Sequence, residues 1–328
     1  MMNALTFEEY RYLWNLVSKK PFQTGFPLHL DIELSSYCNL KCEMCFQQYI
    51  EEKREFMKDT LFKKIVDEGA NEGLCAIKLQ SRGESLTHPK LIEYLAYAKE
   101  NGILDIHLTT NGLLLTEEKI KGLVENRLNL LILSIDEFHY KASSMKSEKE
   151  YTEFMQDVVQ KVIYYRNKYN TKLSIRIQSC IKDYTSENIN KTEIKNRELF
   201  SEVDFVLINP LYASHEDEPH LAELSDYDFY PCSYLWQRLT VYADGSVTTC
   251  SRDYNCKFNR IGNAMYNKIS DLWMSPVMHD LRQRHLTGRR KDFHLCSLCE
   301  NYLVKRDTGM PGALCTGTVY NTEHNSTK

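Results

Sequence analysis

The sequence predicts an α/β protein built on a parallel sheet, and two observations carry that prediction. Six short apolar runs, suited to strands, fall at 28–34, 74–80, 103–109, 129–135, 172–178 and 203–209. Between them lie five segments of helical period, so strands and helices take turns as far as about Asn209. Strict alternation of this kind calls for a parallel sheet with right-handed crossovers.

Residues 1–26 read as a short amphipathic helix and a turn around Pro21, Gly25 and Pro27, expected to cap the main domain. The run Leu28 to Leu34 then alternates like a strand. Asp59 and Thr60 precede Leu61, Phe62, Ile65 and Val66, a helix start followed by one apolar stripe. Pro89 suits the first turn of the next helix, and Thr116-Glu-Glu leads a third. Residues 150–169 place Phe154, Val158, Val162 and Tyr165 on one stripe, while 185–199 form a more polar fifth helix. After Asn209 the character changes. Residues 211–229 are acidic and loop-like, and LTVYADGSVTTC reads as a hairpin around Ala-Asp-Gly. A helix near 268–285 and a thiol pair, Cys296 and Cys299, follow. The expected division is a cap (1–26), a main α/β domain (27–212), a linker (213–229) and a small cysteine-rich domain (230–328).

Composition narrows the function. A 328-residue chain with 42% hydrophobic residues can bury a sizeable core, and no apolar run approaches a membrane span. The first twenty residues carry early acidic side chains and no long apolar stretch, unlike a signal peptide. A net charge of −4 with both signs mixed argues against a dedicated nucleic-acid binder. Eleven cysteines, odd in number and clustered, fit a disulfide scaffold poorly and metal or iron–sulfur ligation in a reducing cytoplasm well.

The tightest cluster is Cys38, Cys42 and Cys45, three thiols in a loop that leaves the end of the first strand. Iron–sulfur clusters normally take four cysteines, so a compact three would leave one iron of a [4Fe–4S] cluster without a protein ligand. Two other readings stand beside it: a zinc site completed by a distant histidine, or three unconnected buried cysteines. The string Cys38-Asn-Leu-Lys-Cys42-Glu-Met-Cys45 resembles the CxxxCxxC signature of the radical S-adenosylmethionine (SAM) superfamily. That resemblance implies a partial (β/α)6, TIM-like barrel over about 28–210. It also implies that the open iron chelates SAM, and that one electron cleaves SAM to a 5′-deoxyadenosyl radical which takes a hydrogen atom from substrate. An electron donor of flavodoxin or ferredoxin type is implied as well. The residue before the third cysteine, often aromatic in the family, is Met44 here, with Phe46 following; both are expected near the adenine.

Other strand ends extend the resemblance. Gly83, Glu84 and Ser85 are similar to the family's glycine–glycine–glutamate motif, with Arg82 in place of the first glycine. Gly83 would offer bare backbone to the SAM methionine and Glu84 an acceptor for its ammonium, although a lone Gly-Glu is also a plain turn. Thr110 and Asn111 end the third strand. Ser134 and Asp136 end the fourth, where they would hold the ribose, or where Asp136 would cap a helix. Arg176, inside the fifth strand, would bind the SAM carboxylate or face outward. All stand at or near the carboxyl ends of strands, where α/β sheets and barrels build their sites.

A second set comprises Cys232, Cys250, Cys296 and Cys299. Four cysteines suit a fully ligated [4Fe–4S] cluster or a tetrahedral zinc ion, and spacing alone leaves both open. The pattern Cys-x12-Gly-x4-Cys…Cys-x2-Cys is similar to the SPASM/Twitch extension of some radical SAM proteins, which implies an auxiliary [4Fe–4S] cluster. The position six after Cys299 is Lys305, so a one-cluster version resembling aminoglycoside-pathway dehydrogenases and epimerases is expected. Cys256 and Cys315 are left over. Cys256 would be a catalytic hydrogen-atom donor, an alternative ligand or a surface thiol, and Cys75 and Cys180 are expected in the core.

Asp183, His139, Tyr140, His215 and Glu216 to Glu218 follow strands in loops and are candidates for substrate contact or proton transfer. The basic run Arg282, Arg284, His285, Arg289, Arg290 and Lys291 would receive an acidic group, or form a solvated helix end. The expected substrate is a small polar, sugar- or aminocyclitol-like molecule that is dehydrogenated or epimerised. A ribosomally made peptide is the alternative, weakened because too few residues precede the first strand for a leader-binding domain. A non-catalytic iron–sulfur or zinc protein is the alternative of another class. No membrane or nucleic-acid partner is expected.

Overall fold

The computed structural model describes residues 5–211, 227–229, 231–297, 299 and 303–305. The chain begins with α1 (Phe7–Lys19), whose start is a capping box: the Thr6 hydroxyl accepts from the Glu9 amide, and the Glu9 carboxylate accepts from the Thr6 amide at 2.7 Å. Then come β1 (His29–Ile32), α2 (Asp59–Glu72), β2 (Ala76–Lys78), α3 (Leu91–Glu100), β3 (Asp105–Thr110) and α4 (Glu117–Glu125). They are followed by β4 (Leu130–Ser134), α5 (Glu137–Ala142), α6 (Glu148–Lys168), β5 (Ser174–Ile181), α7 (Ser186–Leu199) and β6 (Phe205–Pro210). The remainder holds β7 (Tyr227–Phe229), α8 (Tyr234–Gln237), β8 (Arg238–Val241), β9 (Ser246–Thr248), β10 (Arg260–Asn263), α9 (Ile269–Trp273), α10 (Pro276–Leu286), α11 (His294–Ser297) and β11 (Leu303–Lys305).

Strands β1 to β6 pair in parallel in sequential order. An order without reversal puts every right-handed crossover helix on the same face, which is the (β/α)6 arrangement. β6 and β10 end the nine-stranded sheet, so it stays open. On the helix face, Leu30, Ile32, Ile77, Leu108, Leu133 and Ile175 pack with Phe62, Ile65, Leu95 and Val158 in one core. Alternate residues of the same strands point the other way. That inner face carries His29, Asp31, Lys78, His107, Arg176 and Gln178, with Arg238 from β8, beside the apolar Leu130 and Ile132 of β4.

α1 closes the amino-terminal end of the strands. Tyr10, Trp14 and Val17, one helical stripe, pack with Leu28, Cys75, Ala76, Leu235, Trp236 and Leu281. Fully burying each large apolar side chain of this kind contributes about 1.5–3 kcal/mol. The cap expected at the amino terminus is therefore a plug for the bottom of the sheet.

Four details differ from the sequence reading. The helix near 268–285 is two helices, because Ser275 caps a new start with Pro276 in its first turn. Pro89 stands just outside α3, whose N-cap is Lys90. A short helix, α5, follows Asp136. The expected hairpin exists, but β8 pairs in parallel with β1, so it continues the main sheet and does not form a separate one. The proposed linker at 213–229 lies almost wholly outside the described residues, save the three of β7.

Candidate functional site

The cysteine loop leaves the carboxyl end of β1 and is closed at its neck. Met57 donates to the Leu34 carbonyl at 2.9 Å, Ser36 to that of Glu55 at 3.0 Å, and the Glu55 amide to the Ser36 hydroxyl at 2.7 Å. Within it Cys38, Cys42 and Cys45 are half-buried. Burial, reinforced by Glu84 and Cys45, pushes the Cys38 thiol up to about 11. Burial and then its two neighbouring thiols push Cys42 to about 12. Three thiols that hold their protons and crowd one another are a donor set that releases those protons when cations bind. Among the described residues no three His, Cys, Asp or Glu side chains converge on a point suited to a single ion. Cys42 feels both Cys38 and Cys45, so the three thiols of the loop are mutual neighbours.

The turn after β2 grips this loop. A Cβ on Gly83 would strike the carbonyl oxygens of Ser35 and Tyr37, so only glycine lets the two backbones approach. The Glu84 amide donates to the Tyr37 carbonyl at 2.8 Å. Buried Glu84 accepts from the amides of Leu86 at 3.0 Å and Asn111 at 2.9 Å; burial raises its pKa and those two donors oppose the rise. Asn111 reaches the Asn39 side chain at 2.9 Å, and the Thr110 hydroxyl accepts from Gly112. Gly83, Glu84 and Asn111 thus touch the cysteine loop, and Thr110 stands behind Glu84. The Ser85 hydroxyl is spent on the Leu79 carbonyl.

The remaining candidates divide. Asp136 caps α5, accepting from Phe138 and His139 at 3.1 Å, and also takes the His139 ring at 2.6 Å and the Cys180 amide at 3.2 Å. Its carboxylate thus caps this helix. Ser134 is half-buried at the end of β4, opposite Gln178. Arg176 lies on the inner face, donating to Gln178 at 3.4 Å, and so does not face the helices. Met44 is half-buried, and the Phe46 ring stacks on Tyr254 at 4.9 Å. Asp183 is exposed and accepts from Asn188 at 2.8 Å. Cys75 is in the core as expected. Cys180 is not: it lines a cavity of about 240 Å³ with Asp136, Tyr140 and Tyr151.

Sequence reasoning missed what Arg82 does. Its buried guanidinium forms two bonds with the fully buried Glu33, at 2.7 and 2.6 Å. It also reaches Glu52 at 3.2 Å and the Tyr254 carbonyl at 2.8 Å, and lies over the Tyr242 ring at 3.9 Å. Glu33 in turn accepts from the Ala243 amide at 3.2 Å. One side chain thereby joins the end of β1, the cysteine loop and the carboxyl-terminal region. The signal available was a charge where the resembled motif carries glycine.

In the carboxyl-terminal region, burial and the neighbouring thiols push Cys250 up to about 11 and Cys296 to about 12. Cys299 is electrostatically coupled to both, and the buried Tyr234 feels Cys232 and Cys250 together. Cys250, Cys296 and Cys299 are thus mutual neighbours, and Cys232 is reached through Tyr234. Asp253 builds the loop between Cys250 and Cys256, accepting from the amides of Lys257, Phe258 and Asn259. Cys256 has φ +52°, and burial, Asp253 and Glu52 raise its thiol far above the usual range. This loop lies against the first cluster's loop: Asn255 bonds the Glu51 amide and the Tyr49 carbonyl, and Lys257 pairs with Glu51 at 2.6 Å. Cys315, His215 and Glu216 to Glu218 lie outside the described residues.

The basic run is not one solvated patch. Arg284 and Arg289 pair with Asp292 at the surface, at 3.0 and 2.8 Å. Arg282 is buried over the Trp273 ring at 4.2 Å, and His285 and Arg290 are buried as well.

A parallel (β/α)6 arrangement with three thiols in the loop after its first strand, followed by a carboxyl-terminal region with four further cysteines, has the thiol donors of an iron–sulfur protein. Residues 32–172 match the radical SAM superfamily, and residues 232–301 match SPASM, an iron–sulfur cluster-binding domain. The chain belongs to the radical SAM superfamily and carries a SPASM domain; its cofactors are [4Fe–4S] clusters and SAM. It is 30% identical over 186 residues to the tungsten-containing aldehyde ferredoxin oxidoreductase cofactor-modifying protein of Pyrococcus furiosus, covering 56% of this chain and 51% of that one. The chain thus spans about half the length of that relative. Its fold is shared with BtrN in complex with AdoMet and 2-DOIA (TM-score 0.55, 17% identity, covering 85% and 94% of the two chains). It is shared too with anSMEcpe bound to AdoMet and the Cp18Cys peptide (TM-score 0.58, 19% identity, covering 88% and 94%). No helix among the described residues is long and apolar enough to cross a membrane.

Proposed function

We propose that this protein dehydrogenates or epimerises a small polar, sugar- or aminocyclitol-like molecule. The observation that carries the reading is the set of polar side chains on the inner face of the sheet. Asp31 and Arg238 pair there at 3.3 Å, His29 meets Asp31 at 3.2 Å, and Lys78, Arg176 and Gln178 share the face. Lys78, Arg176 and Gln178 would offer hydrogen bonds to hydroxyl and amino groups there, beside the apolar Leu130 and Ile132 of β4.

Cys38, Cys42 and Cys45 would hold the SAM-binding cluster, and Cys232, Cys250, Cys296 and Cys299 the auxiliary one. When bound, the first cluster and SAM supply a 5′-deoxyadenosyl radical, a hydrogen-atom abstractor, with electrons from a flavodoxin- or ferredoxin-type donor. Gly83 holds the cysteine loop against the end of β2, and Glu84 presents a buried acceptor beside Cys38. Thr110 and Asn111 fix Glu84, with Asn111 tying it to the loop through Asn39. Ser134 stands at the mouth of β4, and Met44 would pack on the adenine. Phe46 would join it from its place on Tyr254. Arg176 would meet a carboxylate from the inner face. In an epimerase Cys256 would return the hydrogen atom.

A second reading, modification of a ribosomally made peptide, is favoured by the fold shared with anSMEcpe in its peptide-bound form. Anaerobic reconstitution tests the first claim: about eight irons per chain and dithionite-dependent 5′-deoxyadenosine are expected. Fully loaded protein that releases none refutes radical chemistry. Supplied with aminocyclitols, dehydrogenation yields a product two hydrogens lighter, whereas epimerisation yields one of unchanged mass in ordinary water that carries one deuterium in heavy water, the latter stalled by Cys256→Ala. Turnover of a peptide and of no polar small molecule favours the second reading.

A further inference from the structure

We propose that Arg290 is a positioning residue that fixes the Cys296–Cys299 pair and sets the reduction potential of the auxiliary cluster. The inference rests on the reading that Cys232, Cys250, Cys296 and Cys299 hold that cluster. Arg290 is 2% exposed, at the start of a single 3₁₀ turn (Arg290–Asp292) between α10 and α11. Its Nε and Nη2 donate to the Cys296 carbonyl at 3.2 and 2.8 Å, and Nη2 donates to the Cys299 carbonyl at 2.5 Å. A planar fork with donors in fixed directions is suited to hold two carbonyls at once, which a flexible ammonium does less well. The two peptides being held are those of both cysteines in the pair, so the backbone directions of both thiols follow from one side chain.

The charge has its own consequence. A guanidinium stays protonated at any working pH. Beside thiolate ligands it favours the more negative, reduced form of a cluster, and cluster potentials respond to net charge and hydrogen bonding around the sulfurs. The opposite ligand is held in a similar way: the Cys232 amide donates to the Nδ1 of buried His285 at 3.2 Å. Two members of the basic run thus grip two parts of one ligand set, while Arg284 and Arg289 engage Asp292 at the surface. The run that looked like an anion receptor or a solvated helix end is, in its buried half, the cradle of the second centre.

The test uses the full chain with Cys38, Cys42 and Cys45 replaced by Ala, so that only the auxiliary cluster is loaded. That protein is reconstituted with iron and sulfide and titrated electrochemically by paramagnetic resonance. About four irons per chain are expected; if it takes up none, the reading of the four cysteines fails and not the role of Arg290. Arg290→Gln is expected to load a cluster whose midpoint potential is more negative than the parent's, with Arg290→Lys between the two. A loaded Arg290→Gln cluster at the parental potential overturns the proposal. If Arg290→Gln takes up no iron, Arg290→Lys decides. Loading at a potential more negative than that of the surface control Arg284→Gln supports the proposal, and failure to load, or a potential equal to that control's, overturns it.

Discussion

Replacing Arg82 with Met keeps most of the side-chain stem and removes the charge, which isolates what the guanidinium contributes. Its main partner, Glu33, is fully buried, and after the change it retains only the amides of Arg82 at 3.0 Å and Ala243 at 3.2 Å. Breaking a buried ion pair by removing one partner costs about 3–5 kcal/mol, because the other charge is left uncompensated. Glu52 is partly exposed, so its contact at 3.2 Å adds at most about 1 kcal/mol. Against a typical stability of about 5–15 kcal/mol, the loss is a large fraction of the whole. Urea unfolding of the apoprotein, followed by tryptophan fluorescence, should show the midpoint falling accordingly. Adding Glu33→Gln removes the stranded charge, so the double variant should recover about 2 kcal/mol or more of what the single variant lost. A single variant within about 1 kcal/mol of the parent would refute the argument, as would a double variant no more stable than the single.

Three further outcomes are expected. Gly83→Ala should fold but lose most 5′-deoxyadenosine formation, because its Cβ must displace the cysteine loop at Ser35 and Tyr37; unchanged turnover and iron content would show that the loop tolerates the shift. A double-mutant cycle of Phe46→Ala and Tyr254→Ala, read by urea unfolding, should give a coupling of about 1 kcal/mol for the stacked rings, and additive losses would deny the contact. Lys99, held among the carbonyls of Ile103 and Leu104 and the Asn129 side chain, is lowered by burial to about 8 from an ordinary 10.5. Between those values the unfolded chain binds more protons, so stability rises with pH relative to Lys99→Met; melting temperatures of the two that run parallel from pH 8 to 10.5 would contradict this.

Much of the fold could be read from sequence because its signals are local. Each strand is a short apolar run, and the polar residues that end strands stand next to them in the chain. Gly83 and Glu84 could be found for the same reason, since bare backbone and a carboxylate at a strand end are a sequence pattern. Arg82 could not be assigned, because its partners lie 30 to 172 residues away and no periodicity links them. The basic run misled by proximity: six cationic or titratable side chains in ten residues look like one patch, whereas helix and turn geometry send Arg282, His285 and Arg290 inward and Arg284 and Arg289 outward. Asp136 illustrates a residue whose helix-capping role is visible in the amide bonds of α5. The break in the helix near residue 275 is marked in the sequence by Ser275-Pro276, a helix-start signal inside the stretch.

The pairing of β8 with β1 has a consequence for how this molecule can be cut. Strand β1 hydrogen-bonds to β2 on one side and to β8 on the other, and it leads directly into the cysteine loop. A fragment ending after β6 would leave β1 with a row of unanswered amides and carbonyls, an open template for pairing with a second chain. Such a fragment should aggregate, and its first metal centre would hang from a fraying edge. Shuffling this carboxyl-terminal region between relatives therefore means transplanting β8 together with the groups that meet Glu33 and Arg82, and a graft at the loop alone would leave the seam unmade.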